Sequence, residues 1–207
     1  MTGSAGMGRT LTRPFGRLCG GPLCWGLLCW GLLAAGCSWF GGSGAQPQTP
    51  DGFRRASAEL VAFARPEGWR ALPAGAYPQG WAAAFEKRAG GQSVAQVAVF
   101  QKLPTTSDPY IAAEAAITGV EQNSEDMRRT GQREVEVAGS AGALRIDYRY
   151  SAVSQGTPTG ETILGTDVTA VDEAGRAATV RITRVQGKLA DRVVGQIVDS
   201  IEMHPRQ

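Results

Sequence analysis

From Phe53 to His204 the apolar positions change period several times, and each change marks an element. Phe53–Ser57 and Leu60–Ala64 read as short extended segments, followed by the turn Pro66-Glu67-Gly68-Trp69. Trp81–Arg88 and Val94–Gln101 flank Gly90-Gly91, a dipeptide that accepts the positive φ of a tight hairpin. In Val94–Phe100 both alternating faces are apolar apart from Gln96, which predicts a central strand covered on both sides. A helix is expected next: Asp108 caps it, Pro109 suits its first turn, Tyr110 to Arg129 holds no other proline, and Gly131 stops it. Its predicted inner stripe is Ile111, Ala115, Ala116, Ile117 and Val120, with Glu114, Glu121, Glu125 and Asp126 outward. Glu134–Ala138, the turn Gly139-Ser140-Ala141-Gly142 and Ala143–Tyr150 come after it. In the last of these Leu144, Ile146, Tyr148 and Tyr150 share one face, and Arg145, Asp147 and Arg149 the other. Thr162–Val171 and Ala177–Val185 form a hairpin around Asp172–Gly175. A last helix, Leu189 to Ile201, turns Leu189, Val193, Val194, Ile197 and Ile201 inward. Strands, helix, four strands, helix: the order predicts an α+β domain, an antiparallel β-sheet with helices packed on it.

Before Phe53 the pattern is different. Arg9, Arg13 and Arg17 form a basic start, and no charge follows from Leu18 to Pro50. Leu23–Leu33 (LCWGLLCWGLL) is the most apolar stretch, and it gives way to the small residues Ala34, Ala35 and Gly36 before Cys37. A basic start, an apolar core of about 7–15 residues and a small-residue exit are the parts of a secretory signal. Leu33-Ala34-Ala35-Gly36-Cys37 resembles the lipobox of bacterial lipoproteins, with Ala34 in place of the usual leucine. The resemblance implies a diacylglyceryl group on the Cys37 sulfur and cleavage just before it. A permanent membrane helix is the competing reading, since Leu18–Gly36 would span roughly 29 Å. Five glycines, Pro22 and the lack of a basic cluster after the segment argue against it. Residues 1–36 are therefore expected to be a signal peptide, with Met1 or Met7 as the start. Residues 37–52 are the lipidated cysteine and a Gly-, Pro- and Gln-rich tether of roughly 20 Å reach, and 53–204 is the domain. Trp39 and Phe40 beside the anchor suit the lipid–water boundary. The expected location is the outer face of the cytoplasmic membrane.

This division changes what composition means. The whole chain is 43% hydrophobic and 19% charged, which excludes a disordered chain and a multi-span membrane protein. Its formal +2 comes from the signal: without Arg9, Arg13 and Arg17, 18 basic residues face 19 acidic ones. Cys19, Cys24 and Cys29 leave with the signal, so Cys37 is a lipid site and no disulfide framework remains.

The stretch Ala62-Phe63-Ala64-Arg65-Pro66-Glu67-Gly68-Trp69 resembles the "aromatic, then P-x-G-W" entry of PsbP-like domains. The long helix, two hairpins and terminal helix continue that pattern. The domain is most similar to actinobacterial lipoproteins of the LpqN/LpqT type, which also carry a lipobox. The resemblance implies a sheet flanked by helices and an accessory or binding role at the cell envelope, and it supplies no catalytic residues.

Candidate chemistry is sparse. The only histidine, His204, falls where a frayed tail is expected, and no thiol but Cys37 remains for a nucleophile, redox pair or zinc site. Ala138-Gly139-Ser140-Ala141-Gly142 lacks the first glycine of a nucleophile elbow and joins two strands. Gly187-Lys188 lacks the rest of a phosphate loop. Glu125-Asp126 on the helix and Asp172-Glu173 in a turn do not converge by themselves, and read as solvated surface. Arg54-Arg55, Arg128-Arg129 and Arg145/Arg149 are scattered among acids, so no nucleic-acid footprint is expected. The Arg145-Asp147-Arg149 face is read as an exposed ion ladder or a partner surface. Trp69, Trp81, Phe85, Tyr148 and Tyr150 are candidates for an apolar ligand pocket, with core packing as the competing account. The expected function is a non-catalytic, cofactor-free, metal-free module, held to the membrane through lipidated Cys37. Its expected partner is an envelope protein or an apolar, lipid-like ligand. A carboxylate-dependent envelope hydrolase and a sensing or structural domain of a larger membrane complex are the alternatives.

Overall fold

The computed structural model describes residues 47–77, 80–154 and 157–204. Five strands come first: β1 (Phe53–Ser57), β2 (Val61–Pro66), β3 (Arg70–Ala71), β4 (Trp81–Ala89) and β5 (Gln92–Phe100). Helix α1 (Pro109–Asn123) precedes β6 (Glu125–Glu134), β7 (Gly142–Ser154), β8 (Thr157–Val171) and β9 (Ala177–Val185). Helix α2 (Asp191–Asp199) and the short β10 (Glu202–Met203) close the domain. Seven strands form one antiparallel sheet in the order β3-β4-β5-β9-β8-β7-β6, and β1-β2-β10 form a second. The architecture is α+β, with β5 central between β4 and β9 as its two-sided apolarity predicts.

Strand alternation divides the core in two. Val97 and Val99 of β5, Val168 and Ala170 of β8, and Val180 and Ile182 of β9 point to one side of the large sheet. There they meet Val61 and Phe63 of β2 and Val194 and Ile197 of α2. On the other side α1 lies over Leu144, Ile146 and Tyr148 of β7 through Ala113, Ile117 and Val120. Ala112, Ala113 and Ala116 are fully or almost fully buried, and their small side chains let the helix approach the sheet closely.

Three expectations are corrected. The helix expected to run to Arg129 ends at Asn123, where the Asn123 side chain turns back to donate to the Gly119 carbonyl and Ser124 is extended. Glu125–Glu134 is instead an edge strand against β7, with bulges on either side of the Arg128-Arg129 pair. Tertiary pairing overrides local preference here, because without β6 the backbone of β7 would have an open edge. Ile111 is not in the inner stripe: it is 54% exposed, and the stripe is Ala112, Ala113, Ala116, Ile117 and Val120. Glu134–Ala138 is not a strand beyond Glu134; Val135 donates to the Ala143 carbonyl, and Ala138 makes a single parallel bridge to Glu202. The Asp108 cap is present, its carboxylate accepting from the Tyr110 amide at 2.8 Å.

Candidate functional site

Under α1 the large sheet holds a buried polar centre. Asp167 of β8, 2% exposed, faces Arg181 of β9 in strand register. Arg181 Nε donates to both Asp167 oxygens at 2.9 and 3.0 Å and Nη2 to Oδ2 at 2.5 Å. The same Nη2 donates to the Ala116 carbonyl of α1 at 2.8 Å. From β7 the Tyr148 hydroxyl donates to Asp167 Oδ1 at 3.0 Å. Burial pushes the Tyr148 phenol well above its ordinary pKa, and the Asp167 charge adds to the effect, so it stays a donor. Burial pulls the Arg181 guanidinium down, but Asp167 more than offsets this and the net shift is upward. With four donor contacts on its two oxygens, Asp167 has no lone pair placed for a substrate proton. The centre ties helix to sheet. Tyr148 fits because Gly165 lies opposite it in register; a Cβ there would sit 2.1 Å from the ring.

The opposite side of the β6–β7 ribbon is basic. Register places Arg128 directly across from Arg149 and Arg133 across from Arg145, with Asp147 between the two pairs. Asp147 is saturated by Arg145 at 2.8 Å and the Thr166 hydroxyl at 2.7 Å, with Arg133 at 3.7 Å. Among the described residues no ion pair engages Arg128 or Arg149. Both line a polar recess of about 330 Å³, together with Asp126, Tyr150, Ser151 and Thr162. Arg128, expected on a helix, stands instead on β6, whereas the alternation of Arg145, Asp147 and Arg149 along β7 is visible in the sequence itself.

The five aromatic candidates do not share a cavity. Trp69 is buried in the core between the two sheets, with Phe85 packed against that core and edge-on to Phe63. Tyr148 and Tyr150 stack on each other on the α1 side, centroids 6.2 Å apart. Trp81 lies beside Arg181, its ring 5.9 Å from the guanidinium carbon. A groove of about 410 Å³ lies elsewhere, along Pro109, Glu134–Val137 and Ser140–Ala143. Leu33, Ala34, Ala35, Gly36 and Cys37 lie outside the described residues.

Smaller candidates resolve one by one. Ser140 sits in a turn and donates to the Val137 carbonyl. Asp172 organises its own turn, accepting from the Ala174 and Arg176 amides and from the Arg176 side chain. Glu125 and Asp126 stand at the start of β6, Asp126 with a φ of 52°, and not on a helix. His204 is not a frayed end: its amide donates to the Leu60 carbonyl and its Nε2 lies 2.8 Å from the Ser57 hydroxyl. Among the described residues no three His, Cys, Asp or Glu side chains converge as a metal site.

With this geometry in place, solved structures supply a comparison of fold. LpqN of Mycobacterium tuberculosis, described as involved in cell envelope biogenesis, aligns at 10% identity with a TM-score of 0.50, over 74% of this chain and 91% of its own. The Ran-binding protein Mog1p of Saccharomyces cerevisiae aligns at 10% identity and 0.52, over 72% and 94%. Cyanobacterial PsbP from Synechocystis aligns at 12% identity and 0.47, over 79% and 96%. The chain shares the fold of LpqN and Mog1p. No protein-family model matches the sequence. The comparison with curated proteins found no match either.

Proposed function

We propose that this chain is a lipid-anchored extracytoplasmic module that binds a partner at the cell envelope and performs no catalysis of its own. The observation that carries the proposal is Leu33-Ala34-Ala35-Gly36-Cys37 standing ahead of a tether and this fold. A fold shared with LpqN supports an envelope setting, and one shared with the Ran-binding Mog1p supports a binding role. The domain's own residues point the same way. Its buried carboxylates among the described residues, Asp167, Glu86, Asp172 and Glu202, are each taken up by arginine: Arg181, Arg70 with Arg88, Arg176 and Arg55. Trp69, Phe85, Tyr148 and Tyr150 are spent on packing in two separate cores, so a protein partner is favoured over an apolar ligand held in a deep pocket.

Cys37→Ser tests the anchor. The variant should accumulate as an unprocessed, lipid-free precursor, read by intact mass and by fatty-acid labelling in cells. Recovery of processed, lipidated protein from it would overturn the proposal. Among the described residues no helix is long and apolar enough to cross a membrane.

A further inference from the structure

Like charges facing each other across a β-ladder destabilise it, yet the β6–β7 ribbon carries two such pairs, Arg128/Arg149 and Arg133/Arg145. One pair is neutralised: Asp147 bonds Arg145 and reaches Arg133. The other is left facing solvent, both arginines exposed, around a recess also lined by Asp126, Tyr150, Ser151 and Thr162. On a chain that is formally −1 once the basic start is removed, two arginines against the single carboxylate of Asp126 leave this recess net positive. Arginines paired with hydroxyl groups match the charge and hydrogen-bonding capacity of a phosphate.

We propose that the Arg128/Arg149 face of the β6–β7 ribbon docks on an anionic phospholipid bilayer, with a headgroup phosphate seated in the recess between the two arginines. Two facts favour a bilayer as occupant. By strand alternation Arg145 and Arg149 lie on the same side of the large sheet as Ala143, which packs in the core shared with β1 and β2. The tether joins the domain at β1, so this side carries the attachment point. A tether of roughly 20 Å reach also keeps the domain within a few Debye lengths of the headgroups, where surface charge is still felt. The inference rests on the anchored reading for that proximity.

The test uses the full chain, purified from bacterial membranes and reconstituted on phosphatidylcholine vesicles with or without phosphatidylglycerol. Phenylglyoxal modification of individual arginines is followed by peptide mass. Phosphatidylglycerol should slow modification of Arg128 and Arg149 by roughly twenty-fold or more, from about fivefold for each of the two arginines at an anionic surface. Arg70 on the far edge strand should keep its rate, and high salt should abolish the protection. Equal rates on both kinds of vesicle would overturn the proposal. Full protection by inorganic phosphate without phosphatidylglycerol would also overturn it, in favour of a small-anion site. Arg128→Gln with Arg149→Gln should remove the vesicle preference while leaving the unfolding midpoint unchanged or higher; a fall of several degrees would mean the pair is structural. The peptide containing Cys37 reports lipidation in the same digest. If it carries no lipid, the anchor reading fails, but an uncleaved apolar start still holds the chain on the vesicle and the arginine readout stands.

Discussion

Single residues decide how the sheet face under α1 is filled. Tyr148 reaches Asp167 only because Gly165 leaves room for its ring. Gly165→Ala should lower stability by about 3 kcal/mol, since the ring is held at its hydroxyl end and cannot step aside. Denaturant unfolding measures this, and the cost should shrink in a Tyr148→Leu background. Asp167→Asn leaves Arg181 buried without its counter-charge, and a loss of about 3–5 kcal/mol is expected. The double change Asp167→Leu with Arg181→Met should recover much of it; equal loss in both variants would contradict the pairing account. Asp172 gives a pH signature. Burial alone would raise its pKa, but the Arg176 amide and guanidinium and the Ala174 amide outweigh that, and the folded value is lowered. Its stabilisation is therefore complete above the unfolded aspartate value of about 3.9 and is lost as pH falls from there through the folded value. Asp172→Asn should flatten the acid side of the stability curve, as read by thermal unfolding against pH.

At the scale of elements, strands with strict alternation were legible and the α1–β6 junction was not. Leu144, Ile146, Tyr148 and Tyr150 fall on one face as their spacing predicts, because one face of β7 is apolar and only one register buries it. Glu125–Glu134 has no such stripe. Its state is set by β7, which needs a neighbour, and by Arg129, which reaches back to Glu114 at 2.6 Å and Glu121 at 2.8 Å on the helix it was expected to extend. The hydrogen bond to Arg129 holds the Glu114 carboxyl below its ordinary range. Ile111 was misplaced for a related reason: the helix is oriented by Ala113, Ile117 and Val120 against β7, and this turns Ile111 to solvent. The cap at the other end was readable locally. Asp108→Ala should cost about 1 kcal/mol and increase hydrogen exchange in the first turn of α1. An unchanged exchange pattern there would rule out the capping role.

For the molecule as a whole, the sequence by itself sets the expectation of an apolar start, a tether and a domain, because charge and apolar run-lengths are one-dimensional properties. It determined the α+β class as well, since the periods of 2 and 3.6 survive without any knowledge of partners. The lipobox reading of Cys37 belongs to this level and is tested in cells. What only the tertiary structure decided is which residues meet. Trp69 and Tyr148 are equally apolar in sequence, yet they lie on opposite sides of one sheet, so the expected aromatic pocket dissolves into two cores. Asp167 and Arg181 stand 14 residues apart and form a closed pair only because β8 and β9 bring them side by side. Arg128 and Arg149, scattered in the chain, become direct neighbours once β6 is a strand. Local alternation marks which face of a strand is buried, but which distant residues meet across strands is set by pairing that no local pattern encodes.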